Sequence, residues 1–185
     1  KSLLLFLFFF SVLVSLIFLV FFAKIGPSQH AVPPNDYLIH FEPAAEGILR
    51  GQGIPIKWNF APGYPILLSG IFGLAQLIGV NRLDFIVVFN IILTALASCF
   101  LFLTAKEIFN KRIALIAAFL WMSYPFNLWF IKNPHTEVPF IFLLFLGIFF
   151  YVLTLKRKSF KYAFFTGFSL GTAAFVRMIG LFLPF

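Results

Sequence analysis

Four side chains in a largely apolar chain are of types that could do chemistry: Asp36, His135, Glu137 and Arg177. Asp36 opens a stretch with helical spacing, in which Tyr37, Phe41, Ala44, Ala45, Ile48 and Leu49 fall on one face. Asn35 or Asp36 can cap such a helix. The sharper reading makes Asp36 a catalytic carboxylate held at a membrane–water interface. A helix N-terminus favours the ionised form that a general base or metal ligand needs. Glu42 and Glu46, spaced i,i+4 on the opposite face, read as solvated surface. His135 and Glu137 stand in the short loop 132–137. Glu137 opens the next apolar run, where an acid complements the helix dipole or supplies a second carboxylate. His135 could be a ligand or proton carrier, although a lone loop histidine is commonly neither. Arg177 lies about 15 residues past Tyr162 in the last apolar run. At 1.5 Å per residue that is roughly 23 Å along a helix, below the far surface of a bilayer. An arginine there needs a partner or marks a functional site. Pairing with Glu137 or Asp36 is the structural reading; bidentate binding of a lipid-linked phosphate is the chemical one.

The elements that must position these residues are membrane helices. The chain has 185 residues, 62% hydrophobic, 21% aromatic and only 11% charged. That composition excludes a soluble domain, a disordered chain and a disulfide scaffold, and predicts an all-α polytopic bundle. The single Cys99 excludes an intramolecular disulfide. Runs over 3–22, 85–105, 113–131, 138–155 and 162–185 reach the roughly 20 residues that span a hydrocarbon core. The first is too long for a signal-peptide core. A sixth segment, 64–80, is shorter and carries Gly70, Gly73, Gln76 and Gly79. Between the first two spans lies a long loop, 23–84. Pro33 and Pro34 stiffen its approach to Asp36, a helix is expected over about 36–50, and Gly51 and Gly53 permit its termination. An amphipathic helix lying on the membrane surface is the natural form. Pro62-Gly63-Tyr64-Pro65 then turns the chain into 64–80.

The net charge of +8 is a topology signal. If 64–80 does not cross, the inside holds Lys1, Lys106, Lys111, Arg112, Lys156, Arg157, Lys158 and Lys161, with Glu107 as its only acid. The outside then holds Lys24, Arg50, Lys57, Arg82 and Lys132 beside Asp36, Glu42, Glu46, Asp84 and Glu137. Six crossings starting from the inside would invert the positive-inside rule. A flipped six-span arrangement would satisfy it by placing the long loop in the cytoplasm. The five-span arrangement is preferred, with the long loop outside. The chain carries no P-loop, zinc spacing, nucleophile elbow or dinucleotide motif, and its basic excess does not imply nucleic acid.

The order of the pieces resembles the N-terminal part of the GT-C superfamily of membrane glycosyltransferases, which includes protein O-mannosyltransferases and the bacterial aminoarabinose transferases. The resemblance is carried by Asp36, Tyr37, Phe41, Ala44-Ala45 and Gly51, then by Pro62-Gly63-Tyr64-Pro65, Lys111-Arg112, Glu137, and the glycine-rich run 167–177 ending in Arg177. It implies one transmembrane catalytic module, of which this chain is the N-terminal part, in a prokaryotic plasma membrane. It also implies inverting transfer of a sugar from a polyprenyl-phosphate-linked donor on the extracytoplasmic face. Asp36 and Glu137 would be the catalytic carboxylates and could hold a divalent metal. Arg177, Tyr37, His135 and Lys57 would bind substrate. Two readings from other classes stand beside it: a transporter or channel subunit that binds an anion through Arg177 and Glu137, and a non-catalytic membrane scaffold. The long outside loop and the lack of an inverted repeat weigh against the transporter.

Overall fold

The computed structural model describes residues 2–22, 36–55 and 57–182. Lys1, Lys24, Pro33, Pro34 and Asn35 lie outside the described residues, and so do the proline stiffening and the Asn35 cap expected there. Every regular element among the described residues is helical. The helices are α1 (Ser2–Phe22), α2 (Glu42–Leu49), α3 (Gly63–Ile78), α4 (Arg82–Ile108), α5 (Lys111–Met122), α6 (Pro125–Ile131), α7 (Glu137–Arg157) and α8 (Phe160–Val176). A single π-helical turn, Tyr37–Phe41, leads into α2, and a 3₁₀ turn, Met178–Phe182, follows α8.

Three of these helices, α1, α4 and α7, are long and apolar enough to cross a bilayer unaided. The run 113–131 is not one straight helix. It is α5 and α6, bent by 54°. Pro125 has no N–H to continue the ladder and disfavours α geometry at the preceding residue; Tyr124 is accordingly extended at φ −69°, ψ 116°. The last run likewise does not stay helical to its end. Helix α8 stops at Val176, and Arg177 is extended at φ −146°, ψ 121°.

Close contacts decide how the helices stack. Helices α1 and α4 meet through small residues: Ser11 Oγ lies 3.2 Å from Ser98 Oγ, with Ser15 and Ala95 also buried there. Each serine also needs no outside partner, because Ser15 and Ser98 donate to carbonyls one turn back at 2.9 Å. Asn90, buried on α4, donates through Nδ2 to the carbonyls of Ile131 and Asn133, both at 3.1 Å. That bond fixes the start of the 132–136 loop against α4.

The bundle therefore has two distinguishable ends. At one, Lys156 of α7 reaches the Glu107 carboxylate of α4 at 3.2 Å. At the other, Glu137 at the start of α7 meets Arg177 just beyond α8. Helix α3 begins and finishes at this second end. Gly63 at its start abuts the Phe175 backbone of α8, and Phe72 near its finish lies under Arg82, 4.8 Å away, at the start of α4. Helix α2 packs on α3, so the apolar stripe of Tyr37, Phe41, Ala44 and Ala45 is buried in protein. The expected helix therefore rests on protein through this stripe, while Leu49 of the same stripe stays exposed. Its polar face is tied down as well: Glu46 accepts from Arg82 at 2.7 Å and from Arg50 at 3.1 Å. Gly51 and Gly53 follow with φ of 75° and 76°, as their expected role requires.

A Cβ on Gly63 would sit 2.5 Å from the Phe175 carbonyl oxygen, and backbone cannot swing aside as a side chain can. Gly63→Ala should therefore lower the melting temperature in detergent by several degrees, as overpacking costs about 1–3 kcal/mol. Gly70→Ala is the control: nothing lies within 4 Å of its Cβ position, and α3 should melt no earlier.

Candidate active site

The second end of the bundle carries an aromatic platform. Tyr37, Phe41, Tyr64, Leu68, Phe72, Ile86 and Val176 form one buried cluster, with Trp58 and Phe60 packed against it. Phe41 is its hub, with ring centroids 5.1 Å from Tyr64, 5.3 Å from Phe60 and 6.0 Å from Trp58, all near edge-to-face. This cluster joins the turn before α2, the 57–61 segment, α3, α4 and the last turn of α8.

On that platform opens a cavity of about 460 Å³. Four separate stretches line it: Asp36 to Phe41, Asn59 to Ala61, Pro134 to Glu137, and Val176 to Ile179. Asp36, Tyr37, His135, Glu137 and Arg177 are thereby brought to one space from positions up to 141 residues apart. Lys57 is exposed and is not among the lining residues. The spacing alone gave no reason to single out Asn59, Phe60, Thr136, Met178 and Ile179, which also line the cavity. Asn59 stands between two aromatics just before a proline turn, and that is the only sequence signal for it.

One wall is charged. Arg177 Nη1 lies 2.7 Å from Glu137 Oε1, with side chains 37% and 22% exposed. The other Glu137 oxygen accepts from Thr136 Oγ1 at 3.3 Å and lies 3.7 Å from His135 Nδ1. The structural reading of Arg177, a pair with Glu137, is therefore realised. Four of its five N–H groups remain for other acceptors, since a single contact uses one donor of the guanidinium fork. Residue 177 is extended, one position past the end of α8, and its side chain lines the cavity. The His135 ring stands edge-on to Phe130 at 5.1 Å. Burial, and then the Arg177 charge, hold its pKa below the ordinary imidazole value, against the opposing pull of Glu137 and Asp36. The 3.7 Å approach to Glu137 is thus a contact of a neutral ring rather than an ion pair.

The lining also holds Asp36, exposed and without a side-chain capping bond; its backbone is already α-helical, so it does not serve as the expected N-cap. Beside it, Tyr37 is buried, and desolvation followed by the Glu42 charge raises its hydroxyl pKa. It meets the cavity as a neutral phenol. Among the described residues no three His, Cys, Asp or Glu side chains gather as a metal site. Glu137 Oε1 is held by Arg177 and Oε2 accepts from Thr136.

A second groove of about 260 Å³, apolar apart from Thr172, adjoins the cavity and shares Val176 with it. Leu67, Phe89, Leu93, Phe142, Leu143 and Phe175 form its walls, between α3, α4, α7 and α8.

A family model described as dolichyl-phosphate-mannose-protein mannosyltransferase matches residues 62–185. The matched range takes in His135, Glu137 and Arg177 and begins after Asp36 and Tyr37. No curated protein and no solved structure matches the chain.

The depressed His135 pKa sets a pH dependence. The folded protein binds fewer protons here than the unfolded chain, so the contribution is complete above about pH 6.5, the unfolded value, and is lost as pH falls toward the folded one. Melting temperature measured from pH 7.5 down to 5 should fall less steeply for His135→Asn than for wild type. Equal slopes would show that His135 does not titrate as its surroundings dictate.

Proposed function

We propose, from the premise that the chain belongs to the dolichyl-phosphate-mannose-protein mannosyltransferase family, that the cavity transfers a sugar from a polyprenyl phosphate to an acceptor on the extracytoplasmic face. Membership carries the coarser part: a membrane glycosyltransferase using a polyprenyl-phosphate-linked sugar. The observation that supports the finer part is the convergence of Asp36, Glu137 and Arg177 on one cavity beside an apolar groove.

In this reading the isoprenoid tail lies in the apolar groove and its phosphate reaches the cavity past Val176. Arg177, held by Glu137, donates to the phosphate oxygens. The acceptor hydroxyl attacks the anomeric carbon from the face opposite the phosphate and loses its proton to Asp36. The new C–O bond forms as the anomeric C–O(phosphate) bond breaks, so the configuration inverts and the bonding pair leaves with the lipid phosphate. Negative charge grows on that phosphate in the transition state, where a preoriented guanidinium stabilises it more than in the ground state. Glu137 is a positioning residue: its carboxylate orients Arg177 and needs no contact with substrate. Phe60, the partly exposed aromatic of the lining, offers a ring face to a sugar, with Tyr37 and Phe41 packed beneath it. No step in this scheme requires a metal.

The outward orientation rests on charge. Lys106, Lys111, Arg112, Lys156, Arg157, Lys158 and Lys161 all belong to the end opposite the cavity, with Glu107 as the only acid among them. Positive residues are retained on the cytoplasmic side. In a Cys99→Ser background, an impermeant maleimide added to intact cells should label Lys57→Cys and spare Lys158→Cys. The reverse pattern would overturn the orientation.

The chemistry is tested with the full-length protein in proteoliposomes, following sugar release from a polyprenyl-phosphate hexose. Asp36→Asn should cut turnover by roughly 10²- to 10⁴-fold, the usual worth of a general base, with membrane insertion unchanged. Arg177→Ala should lose about 10²-fold or more, and Arg177→Lys should recover only part of it, since a point charge replaces a fork. Wild-type turnover in Asp36→Asn would remove the base from this scheme and favour a non-catalytic role for the cavity.

A further inference from the structure

At the end of the bundle opposite the cavity, a slot of about 260 Å³ opens between the first turn of α1, the last turns of α4 and the first turn of α5. Its walls are Leu3, Leu4, Phe102 and Leu103, and its mouth carries Lys106 and Lys111. No acidic side chain lines it. Among the described residues neither ammonium has an ion-pair partner, because Glu107, the acid nearest in sequence, is engaged by Lys156. Both lysines are exposed, while Phe102 is buried. The arrangement is an apolar trough with two uncompensated cations at its rim, which matches a molecule that is apolar along its length and anionic at its head.

We propose that this slot binds one anionic phospholipid, with an acyl chain along Leu3, Leu4, Phe102 and Leu103 and the phosphate between Lys106 and Lys111. Basic pockets between membrane helices recognise lipid headgroups in this manner, and lysine stems can lie along apolar surface while the ammonium stays at the interface. The geometry also gives the lipid a mechanical role. Lys106 and Lys111 flank the Phe109-Asn110 turn, and Leu3 and Leu4 belong to α1, so one lipid would clamp α1 to the α4–α5 turn. Leu3, Leu4 and Leu103 pack on the apolar cluster of Leu7, Phe102, Ala105 and Ala114, and among the described residues Cys99 Sγ to the Leu4 carbonyl at 3.7 Å is the polar contact beside them.

Native mass spectrometry of the full chain in detergent, titrated with phosphatidylglycerol and with phosphatidylcholine, tests this independently of any transferase activity. Wild type should take up one phosphatidylglycerol in clear preference to phosphatidylcholine. Lys106→Gln combined with Lys111→Gln should weaken that binding by roughly tenfold or more, since both cations that attract the phosphate are removed. Lys158→Gln combined with Lys161→Gln removes the same charge from the same end outside the slot and should leave the preference intact. An equal loss in both pairs would reduce the effect to the general field of the basic face and overturn the site. Competition by inorganic phosphate as effective as by the lipid would make it a bare anion site and overturn it as well.

Discussion

The 2.7 Å pair between Arg177 and Glu137 is the interaction on which the site depends. A guanidinium near the edge of a hydrocarbon core is costly to leave alone, and so is a carboxylate beside it. Each makes the other tolerable, and both must then come to the same place. That requirement brings the start of α7 against the end of α8. Helix α8 ends at Val176, immediately before this pair, with residue 177 extended. Partial exposure of both groups keeps the pair accessible to an anionic ligand instead of sealing it within the bundle. Removing one partner would strand the other charge, so Glu137 and Arg177 should behave as a unit in mutagenesis rather than additively.

Everything around that pair serves to hold two helix ends still. Gly63 lets α3 touch the Phe175 backbone directly, and the aromatic cluster centred on Phe41 fills the space beneath. Asn90 ties the loop carrying His135 to α4 through two carbonyls that have no other partner in the helix ladder. The tie between Glu46 and Arg82 does the same for the turn that carries Asp36 and Tyr37. These are different interactions with one consequence. The cavity is built on helix termini, but the termini are fixed by close packing and by buried or partly buried polar contacts.

The bundle also separates its charges by function. Basic residues at the end opposite the cavity outnumber acids and are suited to an anionic membrane surface. At the cavity end, carboxylates and cations are mixed, and two of the carboxylates are paired, Glu46 with Arg82 and Glu137 with Arg177. The Trp129 ring under Lys132, 3.9 Å from its centroid, adds an amphipathic anchor on the cavity side.

Much of this was legible in the amino-acid order. Apolar runs of spanning length determine an all-helical membrane bundle, because a lipid-exposed backbone must satisfy its own hydrogen bonds. Charge placement along the chain indicates which turns share a side. The rarity of charge within apolar runs marks Arg177, and an acid at the head of a helical run marks Asp36 and Glu137. Local rules also explain the helix termination at Gly51 and Gly53, and would have explained the break at Pro125 had the apolar run not masked it. Tertiary structure alone decided the rest. Whether Arg177 meets Glu137 or Asp36 depends on how α7 and α8 pack, through contacts such as Gly147 against Leu170 that no one-dimensional spacing encodes. The stripe on α2 is equally apolar whether lipid or protein covers it, so only the fold could turn it onto α3. Lys57 stayed outside the cavity and Asn59 entered it for the same reason: in an irregular segment, neighbouring side chains can point to opposite sides, and the packing around them selects which one faces the site.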